Sequence, residues 1–240
     1  MNIRAVVFDV YGTLLEVGFP PSDGDAGYQR LFEETLGTPP PVDRTEFSAR
    51  TSQIVARLHA EARAHGIRWP EILWPAVVLE AVPSLARMSA IQFDEFLFRQ
   101  MQTGRTLRLA EGAAVCLRYL KDNGVLLGIA SNSQAYTLRE LTGMLEGAGL
   151  NLDSFDRDVC FWSFENGFSK PDPHVFRILT ARLEARGIGP AETLMVGDRL
   201  DNDLEPAREF GWQTWQLSAK QQGDRSGNWR HLLAWLKRKD

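Results

Sequence analysis

The chain has very little cysteine. Only Cys116 and Cys160 occur in 240 residues, and neither lies at short spacing from the other or from a histidine. That argues against a disulfide framework or a zinc site and fits a reducing compartment. Histidine is also scarce: His59, His65, His174 and His231 are scattered and read as surface or structural residues. No apolar run approaches the ~20 residues that span a bilayer. Asp9 cuts the amino-terminal apolar stretch short of a secretory signal, so a cytoplasmic location is expected. A strong charge imbalance is missing too: 27 Lys and Arg face 31 Asp and Glu, a formal net charge of −4. That balance gives no general attraction to nucleic acid or to an anionic membrane, and neither is expected as a partner.

What is present is ample apolar material, 44% of residues, enough for a sizeable core. It is organised around the stretch Ile3 to Leu14, an apolar β-branched run that ends at Asp9 and is followed by Gly12 and Thr13. Such a run reads as a buried strand of a parallel sheet, with Asp9 at its carboxyl end, where open α/β sheets place their ligands. Residues 15–22 read as a loop. From Asp25 to Met101 the pattern is helical: 26–36, 45–65, 69–81 with Pro75 inside it, and 91–101 with Ser89 as a possible N-cap. After Glu111, helix and strand alternate: helix 112–123, strand 125–130, helix 134–146, strand 158–161, helix 171–186, strand 193–197, helix 204–210, strand 212–217 and helix 228–238. The alternation implies a Rossmann-like parallel sheet core, an α/β fold with right-handed crossovers. The expected division is an α/β core of residues 1–16 and 105–240, interrupted by a helical cap of residues 17–104.

Three expected strands end in polar residues, Asp9, Ser131-Asn132 and Asp198, on the edge where strand ends converge. Lys170 stands just before a Pro-started helix and would add a fixed positive charge. Taken singly, each has an ordinary explanation as a turn residue, helix cap or solvated charge. Taken in order they form a set: Asp9-x-x-Gly12-Thr13, Ser131-Asn132, Lys170-Pro171-Asp172, and Gly197-Asp198 with Asp203 five residues on.

On that set the chain resembles the haloacid dehalogenase (HAD) superfamily, most of whose members are phosphatases. The resemblance covers roughly residues 1–16 and 105–220. It implies that Asp9 attacks phosphorus and forms an aspartyl-phosphate. It implies Mg²⁺ held by Asp9, Asp198 and the backbone carbonyl of Tyr11, with Asp203 as a further ligand or a supporting neighbour. Ser131, with Asn132 and Thr13, would hold the phosphate or its loop, and Lys170 would neutralise the developing charge. The substrate it implies is a small phosphorylated molecule. The physical logic is independent of the family: a carboxylate cannot approach a phosphate dianion unless cations screen the repulsion.

The family's phosphatases usually carry a second Asp where this chain has Tyr11, which leaves Tyr11 as a catalytic candidate in that acid's place. Tyr at that position is typical of 2-haloacid dehalogenases, in which Asp attacks carbon and no metal is needed. Against that alternative stand the acidic fourth motif, Asp198 and Asp203, and Phe176 where dehalogenases tend to have Tyr. A third alternative is a binding or regulatory protein that kept the scaffold. Trp162, Trp212 and Trp215 read as packing residues, and Arg50 and Arg57 as a solvated helix face.

Overall fold

A computed structural model describes residues 3–221 and 223–238. Of the spans drawn from sequence, residues 1–2, 222 and 239–240 lie outside the described residues.

Six strands form one sheet: β1 (Ala5–Phe8), β4 (Leu126–Ser131), β5 (Cys160–Trp162), β6 (Thr193–Gly197), β7 (Gln213–Leu217) and β8 (Ser226–Gly227). Their order is β5-β4-β1-β6-β7-β8. Every pairing is parallel: Phe8 lies opposite Ile129 on one side and Val196 on the other. All four residues of β1 and all five of β6 are buried, which is why both read as unbroken apolar runs rather than alternating ones. Helices cover both faces. One face packs around α5 (Ala113–Asp122), α6 (Tyr136–Glu146) and α10 (Trp229–Lys237), the other around α8 (Pro173–Glu184) and α9 (Glu205–Glu209), while the single turn α7 (Ser163–Asn166) directly follows β5. Trp162, Trp212 and Trp215 are buried in these cores, as their packing assignment expects.

Three short strands escape the sequence reading: β8, only two residues long, and a separate pair. β2 (Leu15–Gly18) and β3 (Thr106–Leu109) pair antiparallel, with Leu15 opposite Leu109. Residues 15–22 read as a loop because the partner lies some 90 positions away, beyond the four helices, and no local pattern announces it. Between these strands run α1 (Gly24–Leu36), α2 (Arg44–Ala64), α3 (Trp74–Ala81) and α4 (Ala90–Gly104). They bury a cluster of their own around Tyr28, Phe32, Phe47, Val78, Leu85 and Phe96. α4 begins with a capping box between Ser89 and Gln92. Arg50 and Arg57 lie on the exposed side of α2, ion-paired with Glu46, Glu61 and Glu80. α3 starts at Trp74, not Trp69, so Pro75 sits in a first turn, where its missing N–H costs least. Residues 69–73 instead run as an extended segment against the main sheet's loops.

Candidate active site

The site is built from three strand ends and one helix approach. β1 delivers Asp9, whose N–H donates to the carbonyl of Val196 at 3.0 Å, so the nucleophile candidate sits beside the end of β6. The chain must then turn at once. Gly12 does this at φ +82°, and a Cβ there would collide with the Asp198 carboxylate. Glycine is required both for the left-handed backbone and for the close approach. β6 ends at Gly197, where a Cβ would overlap the Asp203 side chain. Asp203 itself lies in a π-helical turn, Leu200–Leu204, which folds its carboxylate back under the strand end.

Lys170 connects these acids. Its ammonium is buried and donates to Asp9 Oδ1 at 2.8 Å and to Asp203 Oδ1 at 2.5 Å. Asp203 Oδ2 accepts the Arg199 N–H at 3.1 Å, so both of its oxygens are engaged. Oxygens of Asp9, Asp198 and Asp203 lie within 4.8 Å of one another. The electrostatics follow from two carboxylates, Asp9 and Asp203, sharing one ammonium, with a third, Asp198, beside them. Burial, only partly offset by Lys170, and then the charge of Asp203 push Asp9 up to about 6. Burial and Asp203 also raise Asp198. Burial pulls the Lys170 ammonium down, but Asp9 and Asp203 outweigh it and hold the group above its usual range. The cluster is short of positive charge and rich in hard oxygen donors, a donor set that fits Mg²⁺.

Two hydroxyls complete the centre. Ser131, the last residue of β4, and Thr13 are buried, and neither hydroxyl has a partner within the protein. Buried hydroxyls left unbonded are uncommon and point to a ligand. Asn132, expected at the phosphate, lies beside Lys170. Its side chain clasps the Lys170 backbone, donating to the carbonyl and accepting the N–H, both at 2.8 Å. One amide N–H and one lone pair are used there, fixing the lysine. Asp172 caps α8, accepting the His174 N–H at 2.9 Å. Asp201 is exposed and paired with Arg199.

The hydroxyl of Tyr11, the candidate for the acid's place, is engaged within the protein. It donates to Glu140 Oε2 at 2.5 Å, accepts from Arg105 at 2.9 Å and meets Thr137 Oγ1 at 2.7 Å. Burial first, and then Glu140, raise its pKa far above the usual tyrosine range. A hydroxyl so committed is a poor proton donor to a leaving group. Glu140 and Arg105 give no sequence signal: one lies on an amphipathic helix and the other at an element boundary. Glu71 was equally hidden. It accepts from Ser163 Oγ at 2.5 Å and Gln134 Nε2 at 2.9 Å, while its N–H donates to Gly167 at 3.0 Å. Ser169 N–H also donates to Trp69 at 2.9 Å, so residues 69–73 lie against the loop that carries Lys170.

The model of the haloacid dehalogenase-like hydrolases matches residues 3–211. The chain belongs to this family of hydrolases. It is 35% identical over 216 residues to a glyceraldehyde 3-phosphate phosphatase of Pyrococcus furiosus, covering 89% of this chain and 80% of that one. Among solved structures, a 2-haloacid dehalogenase of Pseudomonas syringae superposes with a TM-score of 0.63 at 20% identity, covering 99% of this chain and all of the other. A HAD family enzyme of Bacteroides thetaiotaomicron, in complex with magnesium and inorganic phosphate, superposes with a TM-score of 0.55 at 17% identity over 96% of this chain and 99% of that one. At such identities the two structures bear on the fold alone.

Proposed function

We propose that this HAD-like hydrolase is a Mg²⁺-dependent phosphatase acting on a small phosphorylated metabolite. The observation that carries the reading is the cluster of Asp9, Asp198 and Asp203 around a single ammonium, with oxygens within 4.8 Å. A carbon-attacking dehalogenase has no use for so much uncompensated acid beside its nucleophile. Asp9, Asp198 and the Tyr11 backbone carbonyl would hold the cation, with Asp203 close by; bound there, it would screen nucleophile from phosphate and lower the Asp9 pKa. Asp9 Oδ attacks phosphorus, and the P–O bond to the leaving group breaks. That oxygen leaves as an alkoxide and takes its proton from water. Water then attacks the aspartyl-phosphate, releasing phosphate and restoring Asp9. Lys170 stabilises charge on the transferred group, and the free hydroxyls of Ser131 and Thr13 are spare donors for its oxygens. The helices between β2 and β3 would act as the cap that excludes water.

A three-carbon phosphate ester is the first substrate to test, since the Pyrococcus furiosus relative is named for one. Phosphate release from glyceraldehyde 3-phosphate and from 4-nitrophenyl phosphate should require Mg²⁺. Asp9→Asn should reduce it by about 10⁴-fold or more with the melting temperature retained. Chloride release from a 2-chloro acid in EDTA would overturn the reading in favour of dehalogenation. Absence of either turnover, with phosphate still bound, would favour a binding protein.

A further inference from the structure

We infer that Tyr11, Glu140 and Arg105 form a positioning device, one that holds the Asp9–Thr13 loop in the shape the cation site needs. The inference rests on the magnesium reading above.

The loop is anchored on the sheet side by the Asp9 N–H on Val196 and by Gly12 packed on Asp198. On the other side its anchor is the Tyr11 side chain, long enough to reach α6. Its hydroxyl is saturated by Glu140, Arg105 and Thr137 at 2.5, 2.9 and 2.7 Å, which uses its one donor and both acceptor sites. Arg105 also lies over the Tyr11 ring, 4.5 Å from its centre. Glu140 is almost completely buried, yet each of its oxygens is bonded: Arg105 reaches both at 2.9 and 2.7 Å, and Gln102 donates to Oε1 at 3.0 Å. The Arg105 side chain is 17% exposed, and its terminal nitrogen Nη2 is the one bonded to Tyr11 and Glu140.

A buried ionic cluster is a weak source of stability, because desolvation offsets most of its Coulomb attraction. Apolar residues would fill the same space at less cost. What directed, saturated bonds supply is one fixed geometry. The elements joined here make that geometry relevant. Tyr11 is two residues after the nucleophile. Glu140 lies on α6, the helix that follows the Ser131–Ser133 loop. Gln102 and Arg105 end α4 and the return from the inserted helices. One cluster therefore sets the spacing between the nucleophile loop, the Ser131 loop and the insert.

Calorimetric Mg²⁺ titration of the whole protein tests this, without substrate. Tyr11→Phe keeps the ring and loses the hydroxyl; Glu140→Gln keeps the shape and loses the charge. Each should weaken Mg²⁺ binding about 10- to 100-fold, the usual cost of removing a group that orients metal ligands. Raised Mg²⁺ should restore turnover. Val78→Ala, in the separate cluster of α1–α4, should lower the melting temperature and leave Mg²⁺ affinity unchanged. Wild-type affinity in folded Tyr11→Phe and Glu140→Gln would overturn the inference. If neither is recovered folded, Gln102→Leu, which withdraws one donor from Glu140, should weaken binding at least about threefold, and wild-type affinity there would overturn it equally. Failure of the wild-type protein to bind Mg²⁺ would instead sink the phosphatase reading.

Discussion

Lys170→Met isolates the electrostatics of the centre. The two side chains are similar in length, so the buried aliphatic stem is kept and the ammonium is lost. Asp203, 1% exposed, and Asp9, 8% exposed, then lose the cation they share. Removing one partner from a buried ion pair costs about 3–5 kcal/mol. With a urea dependence toward the upper end of 1–3 kcal/mol/M for a chain of this size, the unfolding midpoint should fall by about 1–2 M at pH 7.5 without Mg²⁺. The sign of the pH dependence is fixed by the direction of the shift. Asp9 is already pushed up to about 6 with Lys170 in place, and losing the lysine raises it further. A carboxyl whose folded pKa lies above its unfolded value costs stability as pH rises from about 4 through the folded pKa. The variant's deficit should therefore be largest above pH 7 and shrink toward pH 5. Adding Asp203→Asn removes one of the orphaned charges and should recover part of the loss, a coupling read from the double-mutant cycle. Equal midpoints for Lys170→Met and wild type, or a deficit that grows toward pH 5, would refute the shared-cation account.

Ser131→Ala removes a buried hydroxyl with no protein partner, so the unfolding free energy should be unchanged or higher, by up to about 1–3 kcal/mol. The same change should raise the inhibition constant of inorganic phosphate about tenfold, near the value of a lost hydrogen bond to a charged group. Asn132→Ala breaks both bonds to the Lys170 backbone; it should lower kcat more than it raises KM, and it should move the acidic limb of the pH–rate profile upward as the lysine loosens from Asp9.

Much of the fold was legible because it is written in local patterns. β1 and β6 are buried on both faces and announce themselves as apolar runs. Ser89 and the glycines after α1 and α5 mark helix ends through side-chain and backbone chemistry that acts within a few residues. The pairing of β2 with β3 was not legible, since each is four residues long and its partner is remote. Residues 69–73 read as helix from their apolar content, and their bonds to the Lys170 loop belong to another part of the chain.

The sequence by itself determined the chemistry available: a carboxylate after a buried strand, further acids, a lysine and small polar residues, in an order that belongs to one family of hydrolases. Only the tertiary structure decided what each group does with its neighbours. It set Asn132 against the Lys170 backbone, and it set the Tyr11 hydroxyl against Glu140 and Arg105. The reason is range. Strand and helix signals act over a few residues, whereas a side chain's partner is set by folding together segments as distant as residues 11, 105 and 140.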